Sequence, residues 1–239
     1  MTSSDLRLCA PALDPPVTIC VLLYGDHFFL CERFFTRLFR HTPADAFRLR
    51  IGLNAVCRQT AEYVHAIGRR HAETTIYESP ENIYKGPMAR RMFHEPPIET
   101  TWTLWFDDDS YVTRGDWLLG LGLAVETSPS VAMWGARYRV TAGTEVQAFI
   151  RSRPWYRGKP LLAEGDEAVI DFIAGGYWPI QTAWLRALDW PDSRILHYSD
   201  DYLLGEALRQ NGGLIGDCTS GVVVNAAVRR SPPDTPPTY

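Results

Sequence analysis

Cysteine is sparse in this 239-residue chain: five residues, Cys9, Cys20, Cys31, Cys57 and Cys218, are scattered, with no C-x-x-C pair. An odd, unpatterned set argues against both a disulfide framework and a cysteine zinc site, and it fits a reducing compartment. Long apolar runs are missing as well. Nothing approaches the ~20 residues of a membrane span, and the opening MTSSDLRLCAPALDPP lacks the charged-then-apolar pattern of a secretory signal. The expectation is a cytoplasmic protein with no membrane anchor. Positive charge is not in excess either. A net charge of −4 leaves no electrostatic footprint for non-specific nucleic-acid binding, although a local basic patch would escape that total. Four catalytic signatures are also absent: G-x-S-x-G, H-E-x-x-H, a Walker loop and a dinucleotide G-x-G-x-x-G.

What the chain does have is material for a core. Apolar residues make up 46% and aromatics 12%, which suits one sizeable folded domain and excludes global disorder. Proline-rich stretches at 1–16 and 229–239 are expected to be flexible tails around a single domain, 17–228. Within it, Val17–Tyr24 (VTICVLLY) is the continuous apolar run of a strand buried on both faces. Gly25-Asp26 breaks that run, and His27–Arg40 then carries Phe28, Phe29, Phe34, Phe35, Leu38 and Phe39 at helical spacing. Strands are expected at Phe47–Val56, Thr74–Tyr77 and Trp102–Phe106. Helices are expected at Arg58–Arg70, Tyr84–Phe93 and Asp116–Glu126. This alternation predicts an α/β fold with a Rossmann-like, mostly parallel central sheet flanked by helices. The second half is less regular. Val131–Val140 and Ala168–Ala174 read as strands, joined by a basic, aromatic loop with Arg151, Arg153, Trp155, Tyr156, Arg157 and Lys159. Asp200–Gln210 reads as a helix, with Ser199 as N-cap and Gly212 beyond its end.

The most informative stretch is TWTLWFDDDSYV, residues 101–112, where a short β-prone run stops in Asp107, Asp108 and Asp109. Adjacent carboxylates repel one another and resist desolvation, so a strand end built this way calls for a counter-cation. Oxygen-only ligands suit a hard divalent ion, Mn²⁺ or Mg²⁺, that keeps positions open for phosphates. Alternation lets Asp107 and Asp109 converge while Asp108 points elsewhere. An acidic turn leading into the next helix would produce the same letters. In parallel sheets ligands collect beyond the carboxyl ends of the strands, which places Tyr24, Gly25, Asp26, Asn54 and Asp107–Asp109 on one rim.

Three further segments carry candidate chemistry. ENIYKGPMARRMF offers Lys85, Arg90 and a helix N-terminus to a diphosphate, or else is a solvated basic face. FIAGGYW places Gly175 and Gly176 where backbone could approach a ligand closely, or simply turn. HYSDDYLLGEALRQNGG sets Asp200 and Asp201 in the first turn of a helix. There a carboxylate stays ionised, as a general base requires, and capping would explain it equally. His197 could be a metal ligand or a base, although a satisfied structural histidine is the favoured reading.

Taken in order, these segments resemble nucleotide-sugar glycosyltransferases of the GT-A fold, over most of residues 17–217. ENIYKGPMAR is similar to the N-x-G-x-x-x-A-R stretch of family-2 enzymes. WFDDDSYV, FIAGGYW and DDYLLGEAL are similar to the D-D-D-x-Y-V, A-G-G and E-D-V-x-L-G series of Fringe-type and β1,3-galactosyltransferases. The resemblance implies a single GT-A domain with a nucleotide-sugar-binding half, 17–112, and an acceptor-binding half, 113–228. It implies that Asp109 binds Mn²⁺ or Mg²⁺ together with Asp107. Tyr24, Gly25, Asp26, Asn54, Lys85, Arg90, Asp107, Asp108, Gly175 and Gly176 would hold the nucleoside-diphosphate sugar, a UDP-sugar being the commonest donor. Asp201 falls on the catalytic-base position of an inverting, metal-dependent hexosyltransferase, with Asp200 in place of the glutamate. Many such enzymes use a C-terminal histidine as a further ligand, and no histidine follows His197. The acceptor stays open among a glycan, a metabolite, a protein side chain and a modified nucleic-acid base. Two rivals use the same residues: a catalytically inactive sugar- or nucleotide-binding domain, and a metal-dependent phosphohydrolase or nucleotidyltransferase. In the second, Tyr111 stands where the nucleophile pattern wants Thr or Val.

Overall fold

The structure, a computed structural model, describes residues 13–197 and 200–225. The first half alternates as the hydrophobic pattern predicts: β1 (Val17–Tyr24), α1 (Phe28–His41), β2 (Phe47–Asn54), α2 (Arg58–Arg70), β3 (Thr74–Ser79), α3 (Lys85–His94) and β4 (Trp102–Asp107). A two-residue strand, β5 (Tyr111–Val112), and α4 (Trp117–Thr127) follow. The second half holds β6 (Val131–Gly135), β7 (Arg137–Thr141), α5 (Thr144–Arg151), β8 (Leu162–Glu164), β9 (Glu167–Ile173), β10 (Tyr177–Gln181), α6 (Thr182–Ala187), α7 (Asp200–Gln210), β11 (Leu214–Asp217) and β12 (Val222–Val223).

Seven strands form the central sheet in the order β11-β6-β10-β4-β1-β2-β3, and within it only β10 runs against the others. Each face has its own core. One is built by α1, α2 and α4 through Phe34, Phe35, Val64 and Trp117 against Ile19, Val21 and Phe106. The other is built by α3, α6 and α7 through Met88, Met92, Trp184 and Leu204 against Cys20, Leu22 and Trp105. Sealing a side chain such as Phe106, fully buried, contributes about 2 kcal/mol by removal from water. This two-sided burial explains why β1 and β4 read as unbroken apolar runs. A second, antiparallel sheet, β7-β9-β8, and a short β5-β12 ribbon lie apart from the main sheet.

Two expectations need correction. Val131–Val140 is not one strand: Gly135 takes φ +148, and an added Cβ there would collide with Ile173 and the Tyr177 carbonyl. The chain breaks there, so β6 stays in the main sheet while β7 leaves to pair with β9. The segment expected as a loop at 151–159 begins with the end of α5, and its Trp155 is 2% exposed, a core residue. Gly212 does lie past the end of α7, at φ +89, whereas Ser199 falls outside the described residues. So do residues 1–12 and 226–239, which include most of both expected tails. Among the described residues, no helix is long and apolar enough to cross a membrane.

Candidate active site

Strand register brings the carboxyl ends together. Tyr24 pairs with Asn54, Asn54 with Ser79, and Leu22 with Asp107, so β1, β2, β3 and β4 finish on one rim. Because β10 is reversed, its start arrives at that same rim, and the Asp107 N–H donates to the Gly176 carbonyl at 2.9 Å. Gly176 has room for no side chain, since an added Cβ would collide with Asn225 Oδ1 and Ser110 Oγ.

Lys85 is the hub. Its Nζ lies 3.3 Å from Asp107 and 3.2 Å from Asp200, with its side chain 11% exposed. Burial opposes its charge, but Asp107, Asp200 and Asp201 together hold the ammonium above the usual lysine range. Its aim is fixed from behind. Tyr84 adopts φ 68 and ψ 170, a region non-glycine residues rarely occupy. Asn82 Oδ1 accepts from the Tyr84 N–H at 2.9 Å and from Asn54 Nδ2 at 2.9 Å. Gly86 then lets the start of α3 press onto the Ile195 carbonyl, and its N–H donates to the Leu196 carbonyl at 2.8 Å.

Around this hub the four acidic groups differ. Asp107 Oδ1 accepts from the Trp105 indole N–H at 3.0 Å, in addition to its pairing with Lys85. Asp109 Oδ1 is buried and makes no hydrogen bond, and burial followed by the Asp107 charge pushes its pKa up to about 6. On α7, Asp201 Oδ1 accepts from the Tyr202 N–H at 2.8 Å, and Oδ2 faces Gly175. Burial, then Asp200, raises the Asp201 pKa. A Cβ on Gly175 would sit 3.5 Å from Asp201 Oδ2 and 3.3 Å from Lys85 Nζ, so the missing side chain keeps this corner open.

A divalent ion fits the strand-end pair. An oxygen buried without a partner at Asp109, beside a second carboxylate, is the donor set a hard cation satisfies. Among the described residues no group of three or more His, Cys, Asp or Glu side chains is arranged to hold a metal. The chain would therefore supply two carboxylates and leave the other positions to donor oxygens and water.

Several expected residues have other duties. Arg90 is not aimed at a diphosphate: its guanidinium is bidentate to Asp189 at 2.8 and 3.0 Å and also donates to the Asp189 and Pro191 carbonyls. Asn54, 2% exposed, braces the loop before α3, with its Oδ1 accepting from the Ile83 N–H. Asp108 is 1% exposed, inside the fold rather than on the rim. Tyr24 sits at the rim with its hydroxyl 3.5 Å from Asn82 Nδ2. Gly25, at φ +67, makes the turn after β1, and Asp26 is exposed there.

Two groups at the site, Trp105 and Arg33, escaped sequence reasoning. Trp105 orients Asp107, lies under Lys85 (5.4 Å to its ring) and stacks on Trp178 at 5.6 Å. Its signal was available, since Trp105 and Asp107 are i and i+2 on one strand. Arg33 of α1 rests on the Tyr111 ring at 4.4 Å with Nη2 3.5 Å from the Asp109 carbonyl, which no local pattern announces. His197, expected to be structural, lies within electrostatic reach of Asp200, Lys85 and Asp107, and burial lowers its pKa. A cavity of about 300 Å³ between α5 and the β8–β9 hairpin contains none of these groups; it lies toward the opposite end of β9 from Gly175.

No family model and no curated protein sequence matches the chain. Solved structures do share its fold. The mannosyltransferase PcManGT from Pyrobaculum calidifontis, in complex with GDP-Man and Mn²⁺, superposes with a TM-score of 0.61 at 16% identity over 86% of this chain. TarS from S. aureus gives 0.59 at 12% identity over 85% of this chain. TarS 1–349 in complex with UDP-GlcNAc gives 0.54 at 12% identity over 85%. The chain spans 55%, 35% and 56% of those three structures. At such identities the likeness establishes architecture alone: a mixed α/β fold with a mostly parallel seven-stranded central sheet flanked by helices, shared with these structures.

Proposed function

We propose that this protein is a metal-dependent, inverting glycosyltransferase that moves a sugar from a nucleoside-diphosphate sugar to an acceptor hydroxyl. The observation that carries the proposal is the Lys85 hub, which ties a strand-end carboxylate to a helix-end carboxylate at the rim where such sheets bind ligands. Support comes also from the fold shared with PcManGT, bound to GDP-Man and Mn²⁺, and with TarS, bound to UDP-GlcNAc.

Asp109 and Asp107 would hold Mn²⁺ or Mg²⁺, which supplies Lewis-acid stabilisation of the departing diphosphate. Trp105 and Lys85 keep Asp107 in one orientation, so the donor meets a preset carboxylate. Asp201 acts as general base, held by the Tyr202 N–H and facing the opening at Gly175. The acceptor oxygen forms a bond to the anomeric carbon as the bond from that carbon to the diphosphate oxygen breaks. The hydroxyl proton passes to Asp201 and the bonding pair leaves with the diphosphate. A single in-line displacement of this kind inverts the anomeric centre. Uridine is the base that the sequence resemblance favours, and one of the structural neighbours carries guanosine instead.

The test is thermal-shift binding of UDP, GDP, CDP and dTDP with and without Mn²⁺. One nucleotide should raise Tm by about 3–6 °C, and only with the ion present. A folded sample that responds to none of the four under either condition would overturn the proposal.

A further inference from the structure

Several cations of the second half are already committed within the fold. Arg137 and Arg139 both bind the Asp171 carboxylate, and Arg139 also reaches Glu164. Those contacts hold the Asp171 pKa below the usual carboxylate value, the Arg139 hydrogen bond first among the causes. Arg153 is buried between Asp192 and the Phe149 ring. Arg151 donates to Gln147, Arg157 to the Pro154 and Tyr156 carbonyls, and Lys159 to the Arg209 carbonyl. Of these cations, Arg137, Arg139 and Arg153 are paired with carboxylates, and Arg157 and Lys159 donate to backbone carbonyls.

Beside the base the surface is aromatic. Tyr202 adjoins Asp201 in α7, and its ring centroid lies 6.3 Å from that of Phe172. Phe172 lies 6.1 Å from Tyr138, its direct cross-strand partner, and Tyr138 is 57% exposed. Gly205 lets α7 lie directly on the Asp171–Phe172 backbone, which locks this run of rings to the helix that carries Asp201. Three rings therefore run from the helix that carries the base to open solvent. An acceptor delivered here must offer a hydroxyl at one end and flat apolar faces behind it. Pyranose rings do so, with C–H faces that pack on aromatic rings and hydroxyls at the edge.

Given the glycosyltransferase assignment, on which this rests, we infer that the acceptor is a neutral carbohydrate whose rings stack along Tyr202, Phe172 and Tyr138. The full chain is assayed for nucleotide release with Mn²⁺ and the sugar donor whose base thermal shift selects. Cellohexaose, chitohexaose and a mannan oligosaccharide serve as neutral acceptors; an oligothymidylate and a phosphoserine peptide serve as anionic ones. At least one neutral probe should speed release about tenfold, and Tyr138→Ala should raise its KM about tenfold while donor KM moves less than about twofold. Tyr138→Trp, which keeps a stacking face, should restore the acceptor KM. Stimulation by anionic probes alone, by none of the neutral probes, or an acceptor KM indifferent to Tyr138→Ala overturns the inference. If Mn²⁺-dependent nucleotide binding persists in that case, only the acceptor class is wrong; if no nucleotide binds at all, the transferase assignment falls with it.

Discussion

Asp107 ends a strand and Asp109 lies in the turn after it, whereas Asp200 and Asp201 begin a helix, yet Lys85 divides both pairs in the same manner. In each pair one carboxylate, Asp107 or Asp200, touches the ammonium. The other, Asp109 or Asp201, is left where burial raises its affinity for a proton. The backbone makes the pairs differ in what the second carboxylate can do. Asp109 lies not on the strand but in the tight turn after β4, where the Ser110 N–H donates to the Asp107 carbonyl at 3.0 Å, and it stays close enough to feel the Asp107 charge. On a helix, successive side chains diverge, and Asp201 is fixed by the Tyr202 N–H. The first arrangement suits sharing a cation and the second suits taking a proton. One buried lysine sets up both.

The sharpest way to break this parallel is Asp201→Asn. It should lower kcat about a thousandfold while leaving Mn²⁺-dependent nucleotide binding near wild type. Turnover within about tenfold of wild type would remove Asp201 as base. The same residue sets a pH signature. A base works only when deprotonated, and its pKa lies above the ordinary carboxylate value of 3.8. The acidic limb of kcat/KM should therefore fall nearer pH 6 than pH 4, as a rate profile in the wild type would record.

Lys85→Met tests what the pairs share. It strips the countercharge from both and leaves buried carboxylates uncompensated, so Tm should drop by about 5–10 °C and donor KM should rise at least about tenfold. Unchanged calorimetric melting would show that the hub is not one.

The smallest effect separates the pairs by stability. Burial, then the Asp107 charge, raises the Asp109 pKa from the ordinary 3.8 to about 6, so its favourable contribution exists at low pH and is lost as pH rises through that window. At neutral pH the charged group is a burden to the ion-free fold. Asp109→Asn should raise ion-free Tm by about 2–4 °C and abolish the shift produced by Mn²⁺. A lower melting point in ion-free buffer would contradict this account.

Much of the first half was legible because parallel strands buried on both faces leave long apolar runs, as in Val17–Tyr24, and Arg58–Arg70 shows helical periodicity to the residue. The rim could be read from that alternation alone. Illegible parts depend on distant partners. Arg90 lost its expected role to Asp189, 99 positions away, and Asn54 serves Asn82 and Ile83 rather than a ligand. β10 went unread because YWPIQ is short and carries Pro179, which cannot donate to the ladder and argues against a central strand. Arg137 and Arg139 look like free cations until β9 folds back and brings Asp171 between them.

That single reversed strand has a consequence for the shape of the rim. Were β10 parallel to its neighbours, Gly175 and Gly176 would enter from the opposite edge of the sheet, five residues or roughly 17 Å from Asp107. Running backwards, it instead sets a segment that is entering the sheet against one that is leaving it, with the Gly176 carbonyl on the Asp107 N–H. The result is a cleft with two walls of opposite chain direction. Each can lengthen or change its loops without shifting the register of the other.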